Sequence, residues 1–262
     1  MARLKLGVVL EALGKPFRSA VPLAGKLGLQ GVQLDAAGEF HPEKLTQTGR
    51  REVRHVVTAH QLEVAAVYCP LRYGLDTQEQ YENRIAHVKK VMQLAYDLGP
   101  RVAIVAAGDV PADEKSLNYT LLRNALMDLA RHADRIGVRL ALEAGYEPAE
   151  RLKALISGME TGGLAVNIDP ATAVLQRQDP SALVRELAPW VAHVHARDAR
   201  PGRTDQSGGE VPLGAGHVEW TAFLSALEEI GYRGWLTIKR GPVPDPTAEL
   251  QAAVGFLRLL VG

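Results

Sequence analysis

The sequence predicts a single (β/α)8 TIM barrel spanning residues 1–262. Three observations predict it. The chain has 262 residues, enough for one large α/β domain. Short, nearly continuous apolar runs alternate with amphipathic stretches from end to end, the pattern of a parallel sheet covered on both faces. Eight such strand-then-helix units can be counted, and eight in about 250 residues close a barrel. An open doubly wound sheet is the competing fold. It ranks lower because Glu11-Ala12-Leu13-Gly14, after the first strand, is not a Gly-rich phosphate turn.

The elements follow in order. Residues 4–10 form the first strand and 16–27 the first helix. A second strand at 31–34 leads into a helix over 42–60. The third strand is 62–68; over 77–98 the residues Ile85, Val88, Met92 and Ala95 recur at helical spacing. The fourth strand, 101–106, is almost wholly apolar, and Leu121, Leu122, Ala125, Leu129, Ala133 and Ile136 mark the helix after it. Strands five to seven lie at 140–143, 164–169 and 191–195, separated by helices at 148–156 and 180–187. A helix at 220–230, the eighth strand at 234–238 and a helix at 246–261 complete the count. The one loop rich in Gly and polar residues, 205–216, reads as mobile.

Composition narrows the function classes. Thirty basic and thirty acidic residues cancel, so no broad cationic footprint for nucleic acid or anionic membrane is present. The single cysteine, Cys69, precludes an internal disulfide and suits a reducing compartment. The N-terminus enters a strand almost at once, with no signal peptide, and no apolar run is long enough to span a bilayer. The expectation is a soluble cytoplasmic protein acting on a small molecule. The outer helix faces leave a homo-oligomer open, without locating an interface.

Active sites of such barrels sit at the C-terminal ends of the strands. Three strands end in hard-metal ligands: Glu143 in Leu140-Ala141-Leu142-Glu143, Asp169 in Ala165-Val166-Asn167-Ile168-Asp169, and His195 in Val191-Ala192-His193-Val194-His195. Two carboxylates and an imidazole suit a divalent cation. The eighth strand, Gly234-Trp235-Leu236-Thr237-Ile238-Lys239, ends in an ammonium where a carboxylate as fourth ligand would complete the set. An ammonium has three donors and no acceptor. Either the metal site is altered or the site has no metal.

Further residues recur as a set: His193-Val194-His195-Ala196-Arg197-Asp198, then Leu213-Gly214-Ala215-Gly216-His217-Val218-Glu219-Trp220, then Gly231-Tyr232-Arg233-Gly234-Trp235-Leu236-Thr237-Ile238. With Leu140-Ala141-Leu142-Glu143, the Asn167-Ile168-Asp169 strand end and Gly28-Leu29-Gln30-Gly31-Val32, they make the whole chain resemble the xylose isomerase-like TIM barrels. That family groups sugar and sugar-phosphate isomerases and epimerases with metal-dependent endonucleases. The resemblance implies metal ligands at Glu143, Asp169 and His195, with Lys239 at the position of the fourth ligand. In the family two glutamates move a proton beside a carbonyl; their positions here are Glu143 and Lys239, so one of the two bases is replaced. The chain departs from the pattern at Lys239, at Thr172, where a His often stands, and at Gln33, where a Glu is common.

Two readings of Lys239 weigh equally. In one, Glu143, Asp169 and His195 hold Mn, Zn or Mg, and Lys239 points at substrate. In the other, the ammonium takes the cation's place and the site is metal-free. A Schiff-base role ranks below both, because neighbouring carboxylates raise a lysine's pKa. Arg197, Arg200, His217 and Tyr68 are the candidate substrate-binding residues. His193 reads as buried support, Asp198 as an orienting group for His195 or an anchor for the following loop, and Glu11 and Cys69 as pocket lining. The first functional expectation is a sugar or polyol isomerase or epimerase acting on a small carbohydrate, with Glu143 and Lys239 catalytic. The second is a metal-free relative that binds carbohydrate or performs a lyase-like elimination. A DNA repair endonuclease is disfavoured for want of ligands and of a cationic face.

Overall fold

Apolar period sets each element, and the alternation closes the sheet on itself. A computed structural model describes residues 4–159, 161–202 and 208–261. β1 (Lys5–Val9) is followed by α1 (Phe17–Lys26), β2 (Gly31–Asp35) by α2 (Gln47–Ala59), and β3 (Glu63–Cys69) by α3 (Tyr81–Leu98). β4 (Val102–Val105) leads to α4 (Leu117–Ile136), and β5 (Arg139–Ala144) to α5 (Ala149–Ser157). β6 (Leu164–Ile168) carries two short helices, α6 (Pro170–Leu175) and α7 (Pro180–Glu186). β7 (Val191–Ala196) runs into a hairpin of β8 (Asp198–Arg200) and β9 (Gly209–Val211), then α8 (Trp220–Glu229). β10 (Trp235–Ile238) is the eighth barrel strand, and α9 (Pro246–Val261) follows it. The barrel closes in the order β1-β10-β7-β6-β5-β4-β3-β2, all neighbours parallel. No helix among the described residues is long and apolar enough to cross a membrane.

The main core lies between the strands and the helical ring, where residues such as Val8, Val32, Leu34, Val67, Leu140, Val166 and Leu236 are buried. A second, smaller cluster of Ala66, Ile104, Ala141 and Ala165 packs inside the barrel. Trp235 packs across the start of β2, and a Cβ on Gly31 would stand 2.5 Å from its ring. Trp235 is therefore a packing residue at the end of the barrel opposite the candidate site.

Several expected boundaries move for local reasons. The helix expected over 42–60 begins at Gln47, because Thr46 caps it by accepting the Gly49 N–H at 3.2 Å. The helix expected over 77–98 begins at Tyr81, after Gln80 turns into the left-handed region at φ 50°. The expected mobile loop over 205–216 is in part the β9 strand, paired with β8 through Asp198↔Val211 and Arg200↔Gly209; 205–207 lie outside the described residues. The reason is Asp198. Its carboxylate accepts N–H groups from Gly214, Gly216 and Val218 at 3.0, 3.2 and 3.1 Å, and the Trp220 indole N–H at 3.0 Å. Asp198 thus anchors the following loop rather than orienting His195, whose two ring nitrogens are bonded elsewhere, to Asn167 and Gln33.

Candidate active site at the barrel mouth

Side chains on a strand alternate between its two faces, so Thr237 and Lys239 share one side of β10's chain path, His193 and His195 one side of β7, and Gln33 and Asp35 one side of β2. The register sets Thr237 beside His195 and Asn167 beside His193. Register shifts fall next to Gln33 and next to Asn167, where irregular pairing can re-aim a side chain.

At the mouth, Glu143, Asp169 and His195 are all buried, and one donor atom from each lies within 4.8 Å of the others. Lys239 Nζ donates to Glu143 Oε1 at 2.9 Å and stands 3.5 Å from Asp169 Oδ2. The Lys239 backbone N–H donates to Ala196 O at 3.1 Å, holding this strand end against β7. Asp169 also serves the backbone. Pro170 opens α6, and Asp169 Oδ1 caps that helix by accepting from Ala171 N and Thr172 N at 3.1 and 3.2 Å.

Beneath the ion pairs runs a buried chain of neutral hydrogen bonds. The Thr237 hydroxyl donates to His193 Nε2 at 2.9 Å, and His193 Nδ1–H donates to Asn167 Oδ1 at 2.8 Å. Asn167 Nδ2 donates to His195 Nδ1 at 3.0 Å, and His195 Nε2–H donates to Gln33 Oε1 at 2.9 Å. Each amide and ring is then satisfied by a consistent choice of tautomer. His195 Nδ1 is also 3.5 Å from Asp169 Oδ2 and 3.8 Å from Glu143 Oε1. The shorter contact to Asn167 takes its lone pair, leaving the carboxylates as charged neighbours.

The electrostatics follow from burial and charge. Burial lowers the His195 pKa and the Lys239 charge lowers it further, so the ring is neutral. His193 is pushed well below the usual imidazole value by burial and by its charged and imidazole neighbours. Burial opposes ionisation of Asp169, but the Lys239 and Arg197 charges outweigh it and hold the carboxyl far below its usual range. Burial also opposes the Lys239 ammonium; Asp169 and Glu143 outweigh that and raise its pKa. Lys239 is therefore an ammonium, which removes the basis for a Schiff-base nucleophile.

The remaining expected residues divide. Tyr68 lines the site, its ring centroid 5.5 Å from Lys239 Nζ. Arg197 stands 3.5 Å from Asp169 Oδ2 and donates to Glu210 Oε2 at 3.0 Å. Arg240 also pairs with Glu210, at 3.1 Å, and with Glu249, at 2.9 Å. Arg200 is exposed and donates to Ala215 O at 2.9 Å, tying down the loop. His217 is on that same loop. Cys69 is buried, and burial pushes its thiol up to about 12, so it is no nucleophile at neutral pH.

Four groups at the mouth lie outside the expected catalytic and binding set. Asp35 closes β2, and burial raises its carboxyl to about 6. Glu11 accepts the Asp35 N–H at 3.4 Å, and burial together with the Asp35 charge raises it to about 7. Tyr146 follows β5 and feels the Glu143 charge. Gln33, in the sequence only a departure from the family pattern, bonds His195. The signal for Gln33 and Asn167 is a lone polar residue inside an apolar strand, which needs a partner when buried.

The spacing of Glu143, Asp169 and His195 suits a divalent cation. Their partners do not. Glu143 Oε1 holds Lys239, Asp169 Oδ1 caps a helix while Oδ2 faces two cations, and His195 Nδ1 receives an amide N–H.

Comparison with known proteins places this geometry among relatives. The family profile described as Xylose isomerase-like TIM barrel matches residues 21–260. The xylose isomerase domain protein of Planctomyces limnophilus is 28% identical, with a TM-score of 0.85 over 98% of this chain and 96% of that one. The uncharacterized protein YfiH of Bacillus subtilis is 24% identical over 97% of this chain and 98% of its own. D-psicose 3-epimerase of Clostridium cellulolyticum H10, solved with D-tagatose, superposes with a TM-score of 0.78 at 15% identity, over 98% of this chain and 99% of that one.

Proposed function

The chain belongs to the xylose isomerase-like TIM barrel family, and from that premise we propose that it is an isomerase or epimerase of a small sugar or polyol, formed as one domain over residues 1–262. The observation that carries the reading is the contact of Lys239 Nζ with Glu143 Oε1 at 2.9 Å in the barrel mouth. It sets a carboxylate base beside a fixed cation. A ketose carbonyl oxygen accepts a hydrogen bond from Lys239 while the Glu143 carboxylate takes the proton from the adjoining carbon. The C–H electron pair forms the enediolate double bond, and the carbonyl π pair moves onto oxygen, where the ammonium stabilises it. When the hydroxyl proton on the reacting carbon passes to the former carbonyl oxygen and the carbon-bound proton returns to the former carbonyl carbon, the new carbonyl forms on the first carbon and the product is the isomer. Return of the proton to the opposite face of the carbon it left gives the epimer.

Tyr68 supplies an apolar wall with a polar tip, the surface a sugar ring packs against. Arg197 holds Asp169 in place and faces the mouth. Arg200, at the end of β8, and His217 contribute through the segment that Arg200 ties down at Ala215 O.

The test is solvent exchange. Incubation with a panel of ketoses in deuterated water, followed by proton NMR, should show loss of a carbon-bound hydrogen next to the carbonyl. Glu143→Gln should slow the exchange about 1000-fold. Exchange at equal rates in the variant would sink the reading. A second reading, carbohydrate binding or a lyase-like elimination, is favoured by the pairing of Lys239 with both carboxylates, which occupies Glu143 Oε1 with a hydrogen bond. It predicts ligand-dependent thermal stabilisation without epimer or isomer formation.

A further inference from the structure

We infer that the Lys239 ammonium is the resident cation of this site, occupying the carboxylate oxygens a divalent ion would need, so that the barrel mouth works without a metal. Two buried carboxylates demand a positive charge. The Glu143 side chain is 3% exposed and that of Asp169 is 1% exposed, and leaving either unpaired there is strongly unfavourable. Lys239 meets both, at 2.9 and 3.5 Å. Arg197 adds a second cation 3.5 Å from Asp169. Two carboxylates already face two cations, and a divalent ion would add two more positive charges at contact distance.

The third donor is closed independently. His195 Nδ1 receives Asn167 Nδ2–H at 3.0 Å, and Asn167 is held by His193, which is held by Thr237. Freeing Nδ1 for a metal means breaking into a chain in which every member is buried and satisfied. Lys239 is also tethered by its own backbone, so it cannot dissociate as an ion would. The Lys239 side chain is 27% exposed, which gives it a route out. If it takes that route alone, Glu143 loses its hydrogen-bonded cation and Asp169 keeps only Arg197.

The inference shares with the carbohydrate reading only the choice of this mouth as the working site. Its probe is an ion, so it stands or falls separately. Manganous ion is titrated into the purified protein and into Lys239→Glu and Lys239→Gln, with calorimetry and the spin-resonance signal of free Mn2+ as readouts. The native protein should bind more weakly than about 1 mM. Lys239→Glu, which supplies a third carboxylate as the fourth ligand, should bind one ion per chain at least about a hundredfold more tightly. Lys239→Gln removes the charge at nearly unchanged volume, and should bind more tightly than the native protein even if the added carboxylate perturbs folding. Stoichiometric micromolar binding by the native protein overturns the inference. So does weak binding by all three proteins, because the triad would then not be a cation site that Lys239 fills.

Discussion

Lys239 Nζ and Glu143 Oε1 meet at 2.9 Å, joining the end of β10 to the end of β5 across the barrel mouth. β7 and β6 lie between them in the barrel, so the pair fixes the spacing of four consecutive strand ends. Replacing Lys239 by Met keeps the length and removes the charge. Glu143 then lacks its cation in a buried setting while Asp169 keeps only Arg197, and stability at neutral pH should fall by about 3 kcal/mol. In a cycle of Lys239→Met with Glu143→Gln, the coupling should exceed about 1 kcal/mol. Urea unfolding of the four proteins measures both, and additive losses would show that the contact carries no energy.

Asp169 ties the same pair to acid stability. Its folded pKa is depressed, so its pairing contributes stability above the ordinary carboxyl range of about 4, lost as pH falls through the depressed value. The native protein should therefore lose stability steadily below about pH 4. In Lys239→Met the acid slope should be shallower, because one of the charges that depresses Asp169 is gone. Equal slopes in urea midpoints between pH 2 and 5 would argue against Lys239 as a partner of Asp169.

The hydrogen-bond chain makes a spectroscopic prediction. His193 should be the Nδ1–H tautomer, donating to Asn167, and His195 the Nε2–H tautomer, donating to Gln33. Both rings should stay neutral as pH falls through the usual imidazole range, since burial lowers both. Long-range nitrogen–proton correlation spectra assign the tautomers directly. Gln33→Leu removes the acceptor of His195 Nε2–H and should cost about 2 kcal/mol. The same tautomer for both rings would mean that the bonds do not run from Thr237 through to Gln33.

How much of this is legible in the sequence depends on whether a signal is local. Glu143, Asp169, His195 and Lys239 each end an apolar run, so counting strands is enough to bring them to one mouth. Gln33 and Asn167 are legible only as polar residues in apolar strands. Their partners are 162 and 28 residues away, both on His195, and no local period encodes that. α6 has six residues and follows Asp169 without a loop, too short to show a helical period. The β8–β9 hairpin reads as a loop in sequence because each strand has three residues, and what holds the segment beyond it is two side chains, Asp198 with four bonds and Arg200 with one. Asp35 and Glu11 stand at strand ends like the others, but on the opposite half of the barrel, where the sequence shows no ligand pattern.

Asp198 gives the next prediction. Its carboxylate accepts four N–H groups from residues 16 to 22 positions further on. Asp198→Ala leaves these donors without their charged partner and should cost about 3 kcal/mol. The Trp220 indole loses its bond, so the native fluorescence should shift before global unfolding. Limited proteolysis should cut within 208–219 of the variant and spare the native protein. Equal protection would show that the hairpin holds itself.

Glu147 sets the behaviour on the neutral side. It follows β5, is 5% exposed, and accepts the Val110 N–H at 3.4 Å. Burial raises its carboxyl to about 7. Between the ordinary glutamate value of about 4.3 and about 7, the unfolded chain is ionised while the folded chain keeps the proton. The folded state binds more protons in that window, so stability falls as pH rises through it and levels off above. For this one group the loss is at most about 4 kcal/mol. Asp35, raised to about 6, and Glu11, raised to about 7, act with the same sign, though solvent reaches Glu11 and weakens its share. Glu147→Gln keeps an acceptor for Val110 and has no proton to lose. Its urea midpoint should therefore decline less steeply between pH 4.5 and 7 than that of the native protein, with the residual slope left to Asp35 and Glu11. Parallel declines would mean that Glu147 ionises in the fold at its ordinary pH, and that its surroundings admit more water than its burial implies.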